Sequence, residues 1–247
     1  MKQLLASTLP KPSQPRANHL LGVLPESIRD QLLPCLEPVA LPLGQALYES
    51  GGRLDHVYFP LDAIVSLLNV TENGATAEIA VVGNEGMLGI ALFLGGETMP
   101  NRAVVQSAGQ ALRLKATLFK QECTRSVALQ HLLLRYTAAL LTQMAQTVVC
   151  NRFHTVDQQL CRWLLLSLDR LPSNELRMTQ ELIANMLGVR REGVTDAAGK
   201  LQDAGLIRYA RGRITVLDRA GLEARVCECY EVVRKEFSRL LPDVVAR

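Results

Sequence analysis

Between residues 39 and 116 the apolar positions come in short runs rich in Val, Ile and Leu, punctuated by Gly, Pro, Asn and Asp. The runs are Val39–Leu43, Ala46–Glu49, His56–Phe59, Ile64–Val70, Thr76–Val82, Ala103–Ser107 and Ala111–Lys115, with turn residues such as Gly51-Gly52, Glu72-Asn73-Gly74 and Gly83-Asn84 between them. Short strands at that rhythm predict an all-β unit. Their number favours a closed or double-sheet barrel of jelly-roll type over an open sheet. Leu20–Leu36, ahead of it, reads as a helix packed on the barrel.

At Thr117 the period becomes helical. No Pro or Gly occurs from Leu118 to Cys150, and apolar residues recur three and four apart at Leu129, Leu132, Leu133, Tyr136, Leu140, Leu141, Met144 and Val148. That spacing predicts one long amphipathic helix. Its apolar stripe is wider than one face needs: Leu133, Leu140 and Thr147 form one seven-residue ladder, and Leu134, Leu141 and Val148 another. One face can cover the barrel and the other a second copy of the chain. Leu133, Tyr136, Leu140 and Met144 are assigned to the dimer face. A second helix is predicted over Val156–Leu171, ended by Pro172, and a last one over Arg219–Leu241.

Residues 179 to 205 carry the chemistry. Thr179 is a good N-cap, Glu181 suits the first turn, and Gly188 can take the left-handed backbone that ends a short helix Gln180–Leu187. Ala184, Gly188 and Val194 are the small, flexible and branched residues that let two helices cross closely around a tight turn, the pattern of a helix-turn-helix. The second helix would start near Arg190 and stop before Gly205. Its exposed start reads Arg190, Arg191, Glu192, with Thr195 a turn later. Arginine can bond guanine O6 and N7 together, and glutamate can accept from cytosine N4, in the major groove. Two β-like pieces, Leu206–Tyr209 and Arg213–Leu217, join at Ala210-Arg211-Gly212 and form a hairpin whose Arg211 and Arg213 suit phosphates. An ordinary helical hairpin with solvated arginines is the competing reading of this segment.

Charge supports the first reading through its distribution. The chain of 247 residues carries 27 Lys and Arg against 24 Asp and Glu, a net of +3. Residues 190–213 hold six basic and three acidic side chains, so this one segment equals the whole excess. With 48% hydrophobic and 21% charged residues the chain is of globular composition, long enough for two domains. Met87–Gly96 is the longest nearly uncharged apolar stretch, about half of the roughly 20 residues a bilayer span needs. Residues 1–19 lack the apolar region of a secretory signal and read as a disordered tail, and the protein as cytoplasmic. Six cysteines, at 35, 123, 150, 161, 227 and 229, are too scattered for a disulfide scaffold. Only Cys227 and Cys229 are close; within a helix an i, i+2 pair diverges by about 200°, so by itself it chelates poorly. No metal site is expected.

A β-barrel, a long helix and then a winged helix-turn-helix resemble the Crp/Fnr family of bacterial transcription regulators over about residues 20 to 217. Val156–Leu166 resembles the family's helix leading into the reader, and Thr179–Ala184 with Gly188–Val194 resembles its helix-turn-helix. The resemblance implies an α+β fold: a barrel sensor over residues 20–116, a dimerisation helix over 117–151 and a winged helix-turn-helix reader over 152–247. It places Arg191 and Glu192 at base-reading positions and Thr179 at a phosphate position, with Asp196 where the family has a second base-reading arginine. Thr179, Gln180, Arg190, Arg191, Glu192, Thr195, Arg211 and Arg213 form the candidate DNA surface. Double-stranded DNA, a second copy of the chain and RNA polymerase are the partners implied.

In the barrel the similarity carries departures. The family's cyclic-AMP binders have Gly-Glu-Leu and Arg-Ser, matched here by Gly89-Ile90-Ala91 and Arg102-Ala103. Ile90 cannot accept a hydrogen bond and Ala103 lacks the hydroxyl, so cyclic-AMP binding by the usual mode is not expected. Met144 and Ala145 replace the adenine-contacting hydroxyls. Gly89, Arg102 and Met144 remain the candidate effector residues, with the effector itself unknown and no cofactor identified. Cys35 stands alone where an iron-sulfur cluster would need several cysteines, and nothing singles out His56 or Cys35 as a haem ligand. An enzyme on the barrel would need converging histidines, and residues 39–116 hold only His56. The alternative to a DNA reader is a ligand- or protein-binding regulatory module.

Overall fold

The computed structural model describes residues 17–171 and 173–245. Seven strands make the first unit: β1 (Glu37–Leu41), β2 (Ala46–Tyr48), β3 (His56–Pro60), β4 (Ile64–Val70), β5 (Thr76–Val82), β6 (Arg102–Ser107) and β7 (Gly109–Lys115). They form two antiparallel sheets, β1-β7-β3 and β2-β6-β4-β5. This is the expected double-sheet barrel, with Val57, Val65, Val82 and Ala103 among its buried side chains. Consecutive Ile64–Leu68 are all buried, because one face of β4 lines the barrel and the other is covered by helices.

The segment read as one helix over Leu20–Leu36 is three short pieces: α1 (His19–Gly22), α2 (Glu26–Leu32) and a 3-10 turn Leu33–Cys35. Pro25 caps α2 and so separates it from α1. The expected tail, residues 1–19, falls outside the described residues up to position 16, and beyond that it is corrected. Asn18 is fully buried, accepts from Leu21 N at 3.0 Å and donates to Pro60 O and Gly86 O at 2.9 Å each. His19 already belongs to α1.

The long helix also divides. α3 (Ala116–Arg125) ends where Ser126 leaves helical geometry and accepts from Leu129 N, starting α4 (Val127–Phe153). A serine that can cap interrupts a helix without Pro or Gly. The assignment of Leu133, Tyr136 and Leu140 to a dimer face is overturned: all three are buried against their own barrel, the Tyr136 hydroxyl donating to Met87 O at 2.8 Å. Met144 is half-buried on the same core. The other ladder stays exposed, Leu134 at 53%, Leu141 at 60% and Val148 at 68%, extended seven residues earlier by Val127 at 63%. Each ladder has two leucines at its centre, and the one ending in Thr147 is the buried one although the one ending in Val148 is the more apolar, so helical period alone cannot say which meets the barrel.

The second unit starts with α5 (Val156–Leu168), opened by a Thr155/Gln158 capping box and ending ahead of Pro172, itself outside the described residues. Then come β8 (Glu175–Arg177), α6 (Gln180–Leu187), α7 (Arg191–Asp203), β9 (Ile207–Ala210) and β10 (Arg213–Val216), the strands pairing antiparallel as β8-β10-β9. β8 is an addition to the all-helical pattern read before the hairpin; three residues are too few to show a period. The single C-terminal helix is instead α8 (Arg219–Arg225), α9 (Glu228–Leu240) and α10 (Pro242–Val245). α9 lies along α4, and α10 reaches α1.

A buried polar seam joins the units. Ser66 Oγ donates to Gln106 Oε1 at 2.8 Å, and Gln106 Nε2 donates to Ser167 Oγ at 3.1 Å. Arg170 Nε donates to Glu85 Oε1 at 2.8 Å, both side chains nearly enclosed. Burial pushes the Glu78 carboxyl up to about 7, against the pull of Ser66 and the nearby Arg162 and Arg170. The native state therefore holds a proton that the unfolded chain has released between about pH 4.5 and 7, so stability falls as pH rises through that window. We expect Glu78→Gln to remove that slope, about 3 kcal/mol in total. Urea unfolding of both proteins at pH 5 and pH 8 checks this; parallel changes in the two would refute it.

Candidate nucleic-acid interface

The turn between α6 and α7 is built as its residues dictate. Thr179 caps α6, its hydroxyl oxygen accepting from Leu182 N at 3.3 Å. Gly188 ends the helix at φ 66° and ψ 33°, where a side chain would be strained. Val189 N then donates back to Ala184 O at 3.0 Å, closing the turn. Ala184, Val194, Ala197, Ala198 and Leu201 are buried where the two helices cross. With its apolar side turned inward, α7 presents Arg190, Arg191, Glu192 and Thr195 to solvent.

The hairpin β9–β10 is folded against the start of α6. Met178 N donates to Gly212 O at 2.8 Å, and the Tyr209 hydroxyl donates to Met178 O at 2.8 Å. Its tip is Arg211-Gly212, both at positive φ, 53° and 71°. These contacts bring Thr179, Gln180, Arg191 and Arg211 around one open cleft of about 490 Å³, together with Glu181, Tyr209, Ala210 and Gly212. Residues more than thirty positions apart thus share one surface.

The polar groups on this surface keep donors to spare. The Thr195 hydroxyl is within hydrogen-bonding distance of Gln180 Oε1, 2.9 Å, and Arg191 O, 3.1 Å, which engages the Gln180 oxygen and leaves its NH₂ group able to donate to a ligand. Thr179 uses its oxygen as a cap and retains its O–H as a donor. Arg190, Arg191 and Arg211 make no ion pair among the described residues. Arg213 differs from this group: it is paired with Glu175 at 3.1 Å. Asp196, at the position where the resemblance implied a second base-reading arginine, is balanced by Lys200 at 2.8 Å, and Lys200 also meets Asp157 at 3.4 Å. Arg177 adds an exposed cation beside Arg213 in the β8–β10 register. It escaped the sequence reading with β8 itself.

The candidate effector residues are placed differently. Gly89, at φ 89°, caps a 3-10 turn Ile90–Leu92 and lies against β3, where a Cβ would come within 3.2 Å of His56 O and Val57 Cγ1. Glycine is needed there for the left-handed backbone and for the close approach to β3. Arg102, a candidate effector residue, is only partly exposed and pairs with Glu49 at 2.9 Å. Ile90 and Ala103 are buried among apolar side chains.

The cysteine pair also needs correction. Cys227 is the N-cap of α9, with extended backbone (φ −73°, ψ 164°), so it does not diverge from Cys229 as two helical residues would. Cys150 and His154, at the end of α4, approach both of them.

Comparison with known proteins agrees with this architecture. Residues 38–126 match the model of the cyclic nucleotide-binding domain, and residues 158–225 match that of the Crp-like helix-turn-helix domain. No curated protein matches the chain. Among solved structures, FixK2 from Bradyrhizobium japonicum is 16% identical over 78% of this chain and 98% of its own, with a TM-score of 0.66. A transcriptional regulator of the Crp/Fnr family from Eubacterium rectale is 17% identical, covers 87% and 99%, and gives 0.67. The c-di-GMP responsive global regulator CLP from Xanthomonas campestris is 15% identical, covers 78% and 100%, and gives 0.62. At these identities the structures share the fold. No helix of the described residues is long and apolar enough to cross a membrane. A cyclic nucleotide-binding domain followed by a Crp-like helix-turn-helix, joined through one long helix, makes this chain a member of the Crp/Fnr family, a transcription regulator with a DNA-binding reader.

Proposed function

We propose that the protein acts as a homodimer reading a two-fold symmetric duplex site, with the start of α7 from each copy in the major groove. The observation that carries this reading is the exposed, unpaired Arg191 at the start of α7, lining one cleft with Thr179, Gln180 and Arg211, with Arg190 exposed beside it in the chain. Arg191 and Glu192 read base edges, with Thr195 beside them. Arg190, Thr179, Gln180 and Arg211 hold phosphates, and Arg213 contributes once it leaves Glu175. Two copies meet along Val127, Leu134, Leu141 and Val148, a heptad ladder with nothing of its own chain over it. Residues 20–116 serve as the sensor, 117–151 as the dimer helix and 152–247 as the reader. The sensor's effector is not cyclic AMP held in the usual way, because Ile90 and Ala103 offer no hydrogen-bonding side chain and Arg102 is engaged by Glu49. RNA polymerase is the partner such a regulator works on, and the cytoplasm is where it meets DNA.

The test is selection of bound sequences from random duplexes by the purified protein. A palindromic site is expected, and affinity for it should fall steeply between 50 and 200 mM salt. Arg191→Ala should relax preference at one G·C pair by about 1–3 kcal/mol. Arg211→Ala should weaken all duplexes alike and lower the salt slope by about two, one for the Arg211 of each copy. Identical behaviour of the two variants on every duplex would overturn the assignment of roles.

A further inference from the structure

Three of the six cysteines and one of the four histidines converge at the junction of α4 with α9. Cys150 lies in the last turn of α4 and His154 is its C-cap; Cys227 is the N-cap of α9 and Cys229 stands in its first turn. One donor atom from each of the four lies within 4.8 Å of all the others. The three thiols are buried in a small cluster of their own, apart from the main core. Cys150 Sγ and Cys227 Sγ are 3.7 Å apart, and Cys229 Sγ is 3.3 Å from His154 Nδ1. A tetrahedral ion with metal–sulfur bonds of about 2.3 Å has S···S edges of about 3.8 Å and S···N edges of about 3.6 Å. A disulfide would need about 2.05 Å.

We propose that Cys150, His154, Cys227 and Cys229 form a closed tetrahedral site for one zinc ion, which fastens the start of α9 to the end of α4. Three soft sulfur donors and an imidazole select zinc over the hard cations, and four protein donors leave no open position, the mark of a structural site. The surroundings orient the ligands. His154 Nε2 faces the Glu228 carboxylate at 3.3 Å, which puts the ring proton on Nε2 and leaves the Nδ1 lone pair toward the thiols. Gln146 Nε2 donates to Cys229 Sγ at 3.1 Å. Loading releases the three thiol protons to solvent, and the ion's two positive charges offset two of the three thiolate charges, leaving a net charge of −1 beside the Gln146 amide donor. The ion sits where α4 gives way to α5, so it sets the angle at which the reader leaves the long helix. That last consequence rests on the proposed DNA reading; the site does not.

The test uses the full chain purified from zinc-supplemented cells. Elemental analysis should find one zinc per chain. Exchange with Co(II) alone should give the visible ligand-field bands of a tetrahedral ion and a near-ultraviolet thiolate band. Cys150→Ser and Cys229→Ser should each lose both signals, Cys35→Ser should keep them, and Glu228→Gln should weaken Co(II) binding about 10-fold. Far-ultraviolet circular dichroism confirms that each variant is folded. A folded chain that takes up neither metal, bound iron in place of zinc, or a Cys150–Cys227 disulfide in the non-reduced digest would overturn the site. Duplex binding measured on the same samples separates the two claims: zinc-loaded protein that binds no duplex refutes the reader and leaves the site standing.

Discussion

Glutamate at both Leu134 and Leu141 is expected to make the protein monomeric and to weaken its binding to a two-half-site duplex by about 10²–10⁴-fold, the contribution of linking two readers. Both leucines are more than half exposed on the chain alone, so charging them removes nothing from its own core. In a parallel pair they face their copies, and four carboxylates would be brought together in a seam that excludes water. Light scattering reads the mass and fluorescence anisotropy reads the affinity. A dimer that survives both substitutions would place the subunit contact elsewhere, and a monomer with full affinity would remove the need for one.

The second large effect comes from the neighbouring position. Leu133→Ala should destabilise the chain by about 2–5 kcal/mol, because Leu133 is fully buried and its loss leaves a cavity that the barrel cannot fill. Leu141→Ala should change the stability of the monomer by less than about 0.5 kcal/mol, as for an exposed site away from special features. Dimerisation stabilises the folded state by mass action, so the urea midpoints belong in a background that is already monomeric through Leu134→Glu. Equal midpoints for the two alanine variants would mean that the barrel does not bear on Leu133.

The helix-turn-helix was legible because its determinants are local. A cap at Thr179, a left-handed backbone at Gly188 and small or branched residues at Ala184 and Val194 specify the turn over sixteen positions, and the structure uses each in that way. The strands Ile64–Val70 and Thr76–Val82 coincide with their apolar runs for the same reason. Breaks inside helical patterns were less legible. Ser126 and the Val226–Cys227 step interrupt long apolar periods that could have continued, and whether a serine caps or rides along a helix is settled by what packs on either side.

What the sequence by itself determined is the order of the elements, the basic start of α7 and the presence of two apolar ladders on the long helix. Only the tertiary structure decided that the Leu133 ladder is inside and the Leu134 ladder outside, and that Cys150 meets Cys227 from 77 positions away. Period and capping act within a few residues, so they can be read along the chain. Which neighbour lies against a helix face, and which side chains share a point in space, depends on how all the elements close on one another.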